Sequence, residues 1–244
     1  MPERLLDRSI KKIDLYLKKP NTKIARALHR LAPEQGVSYR NSRKKRIVDR
    51  SLAITLVAPT VPIIGVLAVA KKIEDRGPAF YRSPRIGRDG VVFNVIKIRT
   101  LEVDADKKKN ANKANTVTPG KPYDQRATPL GQWMRRLRLD ETPQILQAAF
   151  GRRMSLIGMR ADTQATWEAI REQFPKTAGE SYEQYTLSKP ASFNPHAVFY
   201  RQGTLAERER YNTHYAQHAS LGLDLYIFYK AIMRILLEKS KQKV

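Results

Sequence analysis

The chain has 244 residues, 41% of them apolar, with 46 basic against 23 acidic side chains and a formal charge of +23. This length and apolar share exclude wholesale disorder and fit one domain, or one domain with an extension. The absence of cysteine excludes disulfides, thiolate zinc sites and cysteine nucleophiles, while the charge calls for anionic partners, and on composition alone nucleic acid ranks first.

In chain order, residues 1–42 form a basic extension. Leu5, Leu6, Ile10, Ile13, Leu15 and Leu17 fit an amphipathic helix ending near Lys19-Pro20, and a second runs through Ile24, Ala25, Leu28 and Leu31. Such helices suit a membrane headgroup layer, RNA or a solvated face.

Leu52–Ala70 then runs without a charge. As a straight helix it reaches about 28 Å, close to the hydrocarbon thickness of a bilayer. It is apolar on all faces, unlike most helices of soluble proteins, and this moves a membrane ahead of nucleic acid. About fifty residues precede it, too many for an ordinary signal peptide. Both flanks are basic, with Arg43, Lys44, Lys45 and Arg46 before it and Lys71 and Lys72 after it. The positive-inside tendency puts both on the cytoplasmic side. Pro59 and Pro62 interrupt the run, each removing a backbone donor. The expectation is a helix–break–helix that dips into one leaflet and returns; a kinked spanning helix is the alternative.

Residues 79–98 read as two extended runs around an Arg88-Asp89-Gly90 turn, and 107–122 as a polar loop. Thr128-Pro129 predicts an N-cap and first turn for LGQWMRRLRL. A second helix, ILQAAF, is expected to start around Asp140–Gln144 and to stop near Gly151. Residues 163–174 and LDLYIFYKAIMRILLEK predict two more helices.

Asp140-Glu141 sits at a predicted helix start, where either residue, or Thr142, can serve as a cap. The same place suits chemistry. A helix N-terminus favours an ionised carboxylate, an ionised Asp can attack phosphorus, and a neighbouring Glu can hold Mg²⁺. Arg85, Arg88, Arg99, Arg126, Arg135, Arg138 and Arg160 surround the pair in sequence; arginine binds phosphate oxygens two at a time, or lies on a solvated basic surface. His214 and His218 lack the Glu of a zinc-protease helix and read as surface residues.

These features occur in an order that resembles the monotopic phosphoglycosyl transferases, bacterial sugar transferases that start glycan assembly on a polyprenol carrier. Lys45-Arg46 and Asp49 precede the apolar run. Gly77-Pro78-Ala79-Phe80-Tyr81-Arg82 leads to Arg85-Ile86-Gly87-Arg88-Asp89-Gly90. Phe93 through Lys97-Ile98-Arg99-Thr100 is similar to the family's F…K-F-R-T strand. Asp124-Gln125-Arg126-Ala127-Thr128 resembles D-x-R-x-T, Leu139–Gln144 resembles L-D-E-x-P-Q, and Met154–Gly158 resembles M-S-L-V-G.

The resemblance implies a mostly α protein with a small β-hairpin, monotopic in the membrane through a re-entrant helix broken at Pro59 and Pro62, with interfacial amphipathic helices. It implies transfer of a phosphosugar from a UDP-sugar to undecaprenyl or a similar polyprenyl phosphate, with release of UMP, at the cytoplasmic face of the bacterial inner membrane. Asp140 would be the nucleophile and Glu141 the Mg²⁺ ligand. Lys97, Arg99, Arg126, Arg160, Arg85 and Gln144 would contact donor or acceptor. The charge is then answered by anionic membrane lipid and phosphate substrates, without nucleic acid. The expected divisions are 1–42 as extension, 43–75 as membrane hairpin, 76–161 as catalytic domain and 162–244 as a divergent helical region. Departures from the family pattern lie at Ala58, Ser83-Pro84, Arg153, Met159, Ala161 and Lys189–Phe193. They leave a non-catalytic, membrane-bound relative as the alternative.

Overall fold

The computed structural model describes residues 33–105, 126–175, 178–195 and 205–240. The predicted helices before Pro33 and the whole of the 107–122 loop lie outside them. Among the described residues the fold is mostly helical, with two two-stranded sheets.

Helix α1 (Pro33–Asn41) meets α2 (Arg43–Asp75) at Ser42, whose hydroxyl accepts the Lys45 N–H at 3.0 Å and caps the longer helix. Along α2 the buried residues are Lys45, Asp49, Ala53, Thr60, Ile64, Leu67 and Lys71, a stripe at steps of three, four and seven. One face therefore lies on the protein. The other faces expose Ile47, Ile54, Val61, Ile63, Val66, Val69 and Ile73.

Both ends of α2 are clamped by a buried lysine. Lys45 Nζ reaches Asp49 at 2.7 Å, the Ile157 carbonyl at 2.8 Å and Asp224 at 2.8 Å. Lys71, fully buried, reaches Glu74 at 2.6 Å, Asp75 at 2.8 Å and Thr128 Oγ1 at 3.0 Å.

The expected helix break is not registered: α2 runs from Arg43 to Asp75 with Pro59 and Pro62 inside it. The prolines are three residues apart, so their missing donors fall on nearly one side and leave the Thr55 and Ala58 carbonyls without their i+4 partners. The remaining faces keep their ladder, and such a pair bends a helix before it ends one.

Strands β1 (Phe80–Ile86) and β2 (Val92–Ile98) form the predicted hairpin, antiparallel from Phe80 opposite Ile98 to Ile86 opposite Val92. Asp89 and Gly90 at its turn take positive φ of 58° and 73°, which the Asp-Gly pair tolerates. Helix α3 (Pro129–Leu137) starts at Thr128, whose hydroxyl accepts the Gly131 N–H at 3.1 Å, as the Thr-Pro signal predicts. Helix α4 (Pro143–Phe150) ends at Gly151. Strands β3 (Ser155–Ile157) and β4 (Ala191–Phe193) pair in parallel. Helices α5 (Gln164–Gln173), α6 (Ala178–Thr186), α7 (Leu205–His218) and α8 (Leu221–Ser240) complete the described residues.

The largest core cluster draws Ala53 of α2, Ile86, Ala148, Leu156, Trp167, Tyr215 and Ile227 into one body. Trp167 meets Tyr182 and Tyr185 edge-on at 5.1 Å each, a favourable aromatic geometry. His214 corrects a sequence expectation. It is buried, with its ring stacked 4.5 Å from His218, because α7 turns that face inward beside Tyr211 and Tyr215.

Candidate active site

Helix α3 stops at Arg138, whose φ of 57° is left-handed. The chain then makes a single 3₁₀ turn, Leu139–Glu141, before Pro143 opens α4. Thr142 is already helical, and its hydroxyl donates to the Leu139 carbonyl at 2.7 Å. Neither Thr142 nor the acidic pair caps α4, so the capping role open to them in sequence is not used. Asp140 and Glu141 instead occupy a turn of their own, held between two helices.

Gln147 aims that turn. Its Oε1 accepts the Ile96 N–H at 2.8 Å and its Nε2 donates to the Asn94 carbonyl at 2.9 Å. The amide fills the otherwise unpaired edge of β2 and fixes α4 against it. Lys97, one residue past Ile96, then meets Glu141 at 2.6 Å, and Arg138 stands 3.6 Å from the same carboxylate. Sequence reasoning missed Gln147. Its signal is a second glutamine, one turn after Gln144, in a helix whose other residues are apolar.

Five residues singled out from sequence line one narrow cleft: Arg85, Lys97, Glu141, Gln144 and Arg160. Ser192, inside β4, and Asn194, just past it, complete it; the sequence singled out neither as a site residue, Ser192 figuring only in the departure at Lys189–Phe193. Arg85 is held by its Nη1 donating to the Ala161 carbonyl and its Nε donating to Ser83 Oγ, both at 3.1 Å. The cleft holds about 10 Å³, room for about one water, so a nucleotide ligand enters only as side chains part. A larger cavity, about 320 Å³, is lined by none of these residues.

Asp140 is buried beside the cleft, and among the described residues no group hydrogen-bonds its carboxylate. Burial, then the Glu141 charge, push its carboxyl upward against Lys97, Arg135 and Arg138. Glu141 goes the other way. Burial opposes its charge, but Lys97, Arg160 and Arg138 outweigh that and hold it well below the usual carboxylate range. Two adjacent carboxyls with affinities pushed apart are a recurrent sign of chemistry.

Two predicted contacts fall outside the cleft. Arg99 makes a two-pronged pair with Asp75 at 2.5 and 2.7 Å and donates to the Pro78 and Leu101 carbonyls, tying β2 to the end of α2. Arg126 donates to the Ala105 carbonyl at 3.4 Å. No cluster of three or more His, Cys, Asp or Glu side chains exists among the described residues. A magnesium ion does not need one, since it takes one or two carboxylates and fills its shell with phosphate oxygens and water. Glu141 fits that donor set once Lys97 shares it.

The bacterial sugar transferase family model matches residues 40–238. The chain is 30% identical over 204 residues to exopolysaccharide production protein ExoY of Sinorhizobium fredii, covering 80% of this chain and 86% of that one. It is 28% identical over 195 residues to an undecaprenyl-phosphate glucose phosphotransferase of Komagataeibacter xylinus, covering 78% of this chain and 35% of that protein. Over 140 residues it is 32% identical to the UDP-glucose:undecaprenyl-phosphate glucose-1-phosphate transferase of Escherichia coli, covering 57% of this chain and 28% of that one. This chain thus spans about a third of the two glucose-phosphate transferases and most of the Sinorhizobium protein. With the acidic turn, its basic cleft and the flanking strand built from the segments that the family model spans, the chain belongs to the bacterial sugar transferases, an enzyme family that transfers sugar phosphates.

Proposed function

We propose that this chain transfers a sugar 1-phosphate from a UDP-sugar to undecaprenyl phosphate or a similar polyprenyl phosphate, releasing UMP and starting polysaccharide assembly. The observation that carries this reading is the pairing of an uncapped, buried Asp140 with a cleft lined by Glu141, Lys97, Arg85 and Arg160. The names of the Komagataeibacter and Escherichia relatives supply the donor and acceptor classes.

In the first step a carboxylate oxygen of Asp140 attacks the phosphorus that bears the sugar. The pyrophosphate P–O bond breaks, UMP leaves with the electron pair, and the sugar phosphate stays on Asp140 as an acyl phosphate. In the second step a phosphate oxygen of the polyprenyl phosphate attacks the same phosphorus. The aspartyl P–O bond breaks and the carboxylate is regenerated. Arg85 and Arg160 orient the pyrophosphate oxygens, and Lys97 stabilises the charge that gathers on them. Mg²⁺, held by Glu141, would neutralise the donor's pyrophosphate.

The same reading places the body at the cytoplasmic face with α2 re-entrant. Its support is the pair of lysine clamps. Lys45 binds beside β3 and α8, and Lys71 binds beside α3, so both ends of the apolar run are tied to one body. Only 22% of the helix's most apolar window is buried in the protein, leaving the rest for lipid. Incubation of the membrane-bound protein with radiolabelled UDP-sugars and polyprenyl phosphate tests the function. Label entering the lipid fraction from one preferred donor is the expected result. A folded, membrane-bound protein that moves label from none of a panel of donors would instead be the non-catalytic relative.

A further inference from the structure

The 320 Å³ cavity lies at the N-terminal start of α2, with Ser155 and Ile157 of β3 in its wall, and shares no lining residue with the catalytic cleft. Its size is that of a small-molecule site. Its charge is one-sided. Arg46, Arg50, Arg152 and Lys189 all line it, and among the described residues no carboxylate pairs with any of them. Arg40 also lines it, 6% exposed, and meets neutral acceptors: the Gly36 and Gln184 carbonyls, the Gln184 side chain, the Met159 sulfur and Ser188 Oγ at 3.0 Å.

The one acid on the wall, Asp49, is already taken by Lys45 and by the Ser155 hydroxyl. Asp224 behind it is bound to Lys45, Tyr39 and Tyr215. Five cations thus converge on an open space without an acid of their own. Burial, then Arg50, Arg46 and Arg88, outweigh the opposing charge of Asp49 and make it harder for Lys189 to hold its proton. Like charges gathered this way are relieved by an anion.

Position narrows the anion. Arg50 stands two residues, about 3 Å along the helix axis, before the uncharged run that begins at Leu52. Ile47 and Ile54 on the same helix are exposed. A ligand there has its charge at headgroup level and apolar helix surface beside it.

We infer that this cavity binds the phosphate head group of an anionic membrane phospholipid, at a site separate from the Asp140 cleft. The inference needs α2 to lie at a membrane but does not depend on the reaction assigned to Asp140.

Calorimetric titration of the full chain in neutral detergent tests it, with dihexanoyl phosphatidylglycerol below its micelle concentration as the probe. Saturable binding of one lipid per chain is expected, with dihexanoyl phosphatidylcholine at least tenfold weaker. Arg50→Gln with Lys189→Gln should weaken phosphatidylglycerol binding at least tenfold, and the charge-conserving pair Arg50→Lys with Lys189→Arg should restore it. Asp140→Asn should leave it unchanged. Equal binding of the two lipids, or undiminished binding by the Gln pair, would overturn the inference. Displacement by inorganic phosphate at equal concentration would overturn its lipid part. Loss of binding in Asp140→Asn with the Gln pair intact would move the head group into the catalytic cleft.

Discussion

Asp140 holds a carboxylate where burial and a neighbouring charge both work against it. A group whose proton affinity is raised on folding costs stability while ionised, so at neutral pH its removal relieves the fold. We expect Asp140→Ala to melt no lower than the parent at pH 7.5, whereas loss of a helix cap lowers stability by about 1 kcal/mol. Thermal melts of the two proteins side by side check this. At Lys97 the expectation is opposite: Lys97→Met leaves Glu141 beside Asp140 without its nearest cation, and activity falls by at least about tenfold at saturating Mg²⁺. His214 supplies a pH dependence. Burial, then His218, lower its pKa to about 3 from the ordinary 6.5. The unfolded chain therefore binds the proton first, and stability is present above pH 6.5 and lost as pH falls toward 3. Between pH 7 and pH 5 the loss from this group is about 2 kcal/mol. Denaturation of the parent should show it, and His214→Gln should lack it.

Among the elements, α2 shows what patterning does and does not specify. Its length, its apolar run and its basic flanks were readable from sequence, since each is a local property. The clamps were not, because Lys45 finds Asp224 and Lys71 finds Thr128 only after distant segments arrive. Lys71→Met leaves Glu74 and Asp75 near a buried space without their shared cation, and breaking such a pair costs about 3–5 kcal/mol where burial is complete. Both acids are partly exposed, so we expect the lower end of that range or less, seen as a fall in melting temperature. The hairpin β1–β2 and the cap of α3 also follow local signals, Asp89-Gly90 and Thr128-Pro129. The parallel pair β3–β4 has only three residues per strand, too few for a period to register, and so Ser192 and Asn194 were missed. Arg99 carried a phosphate-binding signal in sequence, but Asp75 takes its guanidinium in the fold.

The whole molecule joins an apolar helix, clamped at both ends, to a body with a basic cleft and a basic cavity. Under the proposed function, this arrangement would bring a charged donor and a lipid-borne acceptor together at a membrane surface. Single cysteines near Arg43 and near Lys71 should both escape a membrane-impermeant label added outside the cell, and labelling of one alone would mean that α2 spans. High salt should weaken the basic contribution, about 1 kcal/mol per group near the surface, yet leave the protein in the membrane fraction through its apolar helix. UMP release without acceptor shows whether Asp140 carries the sugar phosphate. With UDP-sugar and Mg²⁺ alone, the parent protein should release UMP up to about one equivalent per chain and then stop, and Asp140→Asn should release none. Release that requires the polyprenyl phosphate in the parent, or that persists in Asp140→Asn, would rule out Asp140 as the carrier.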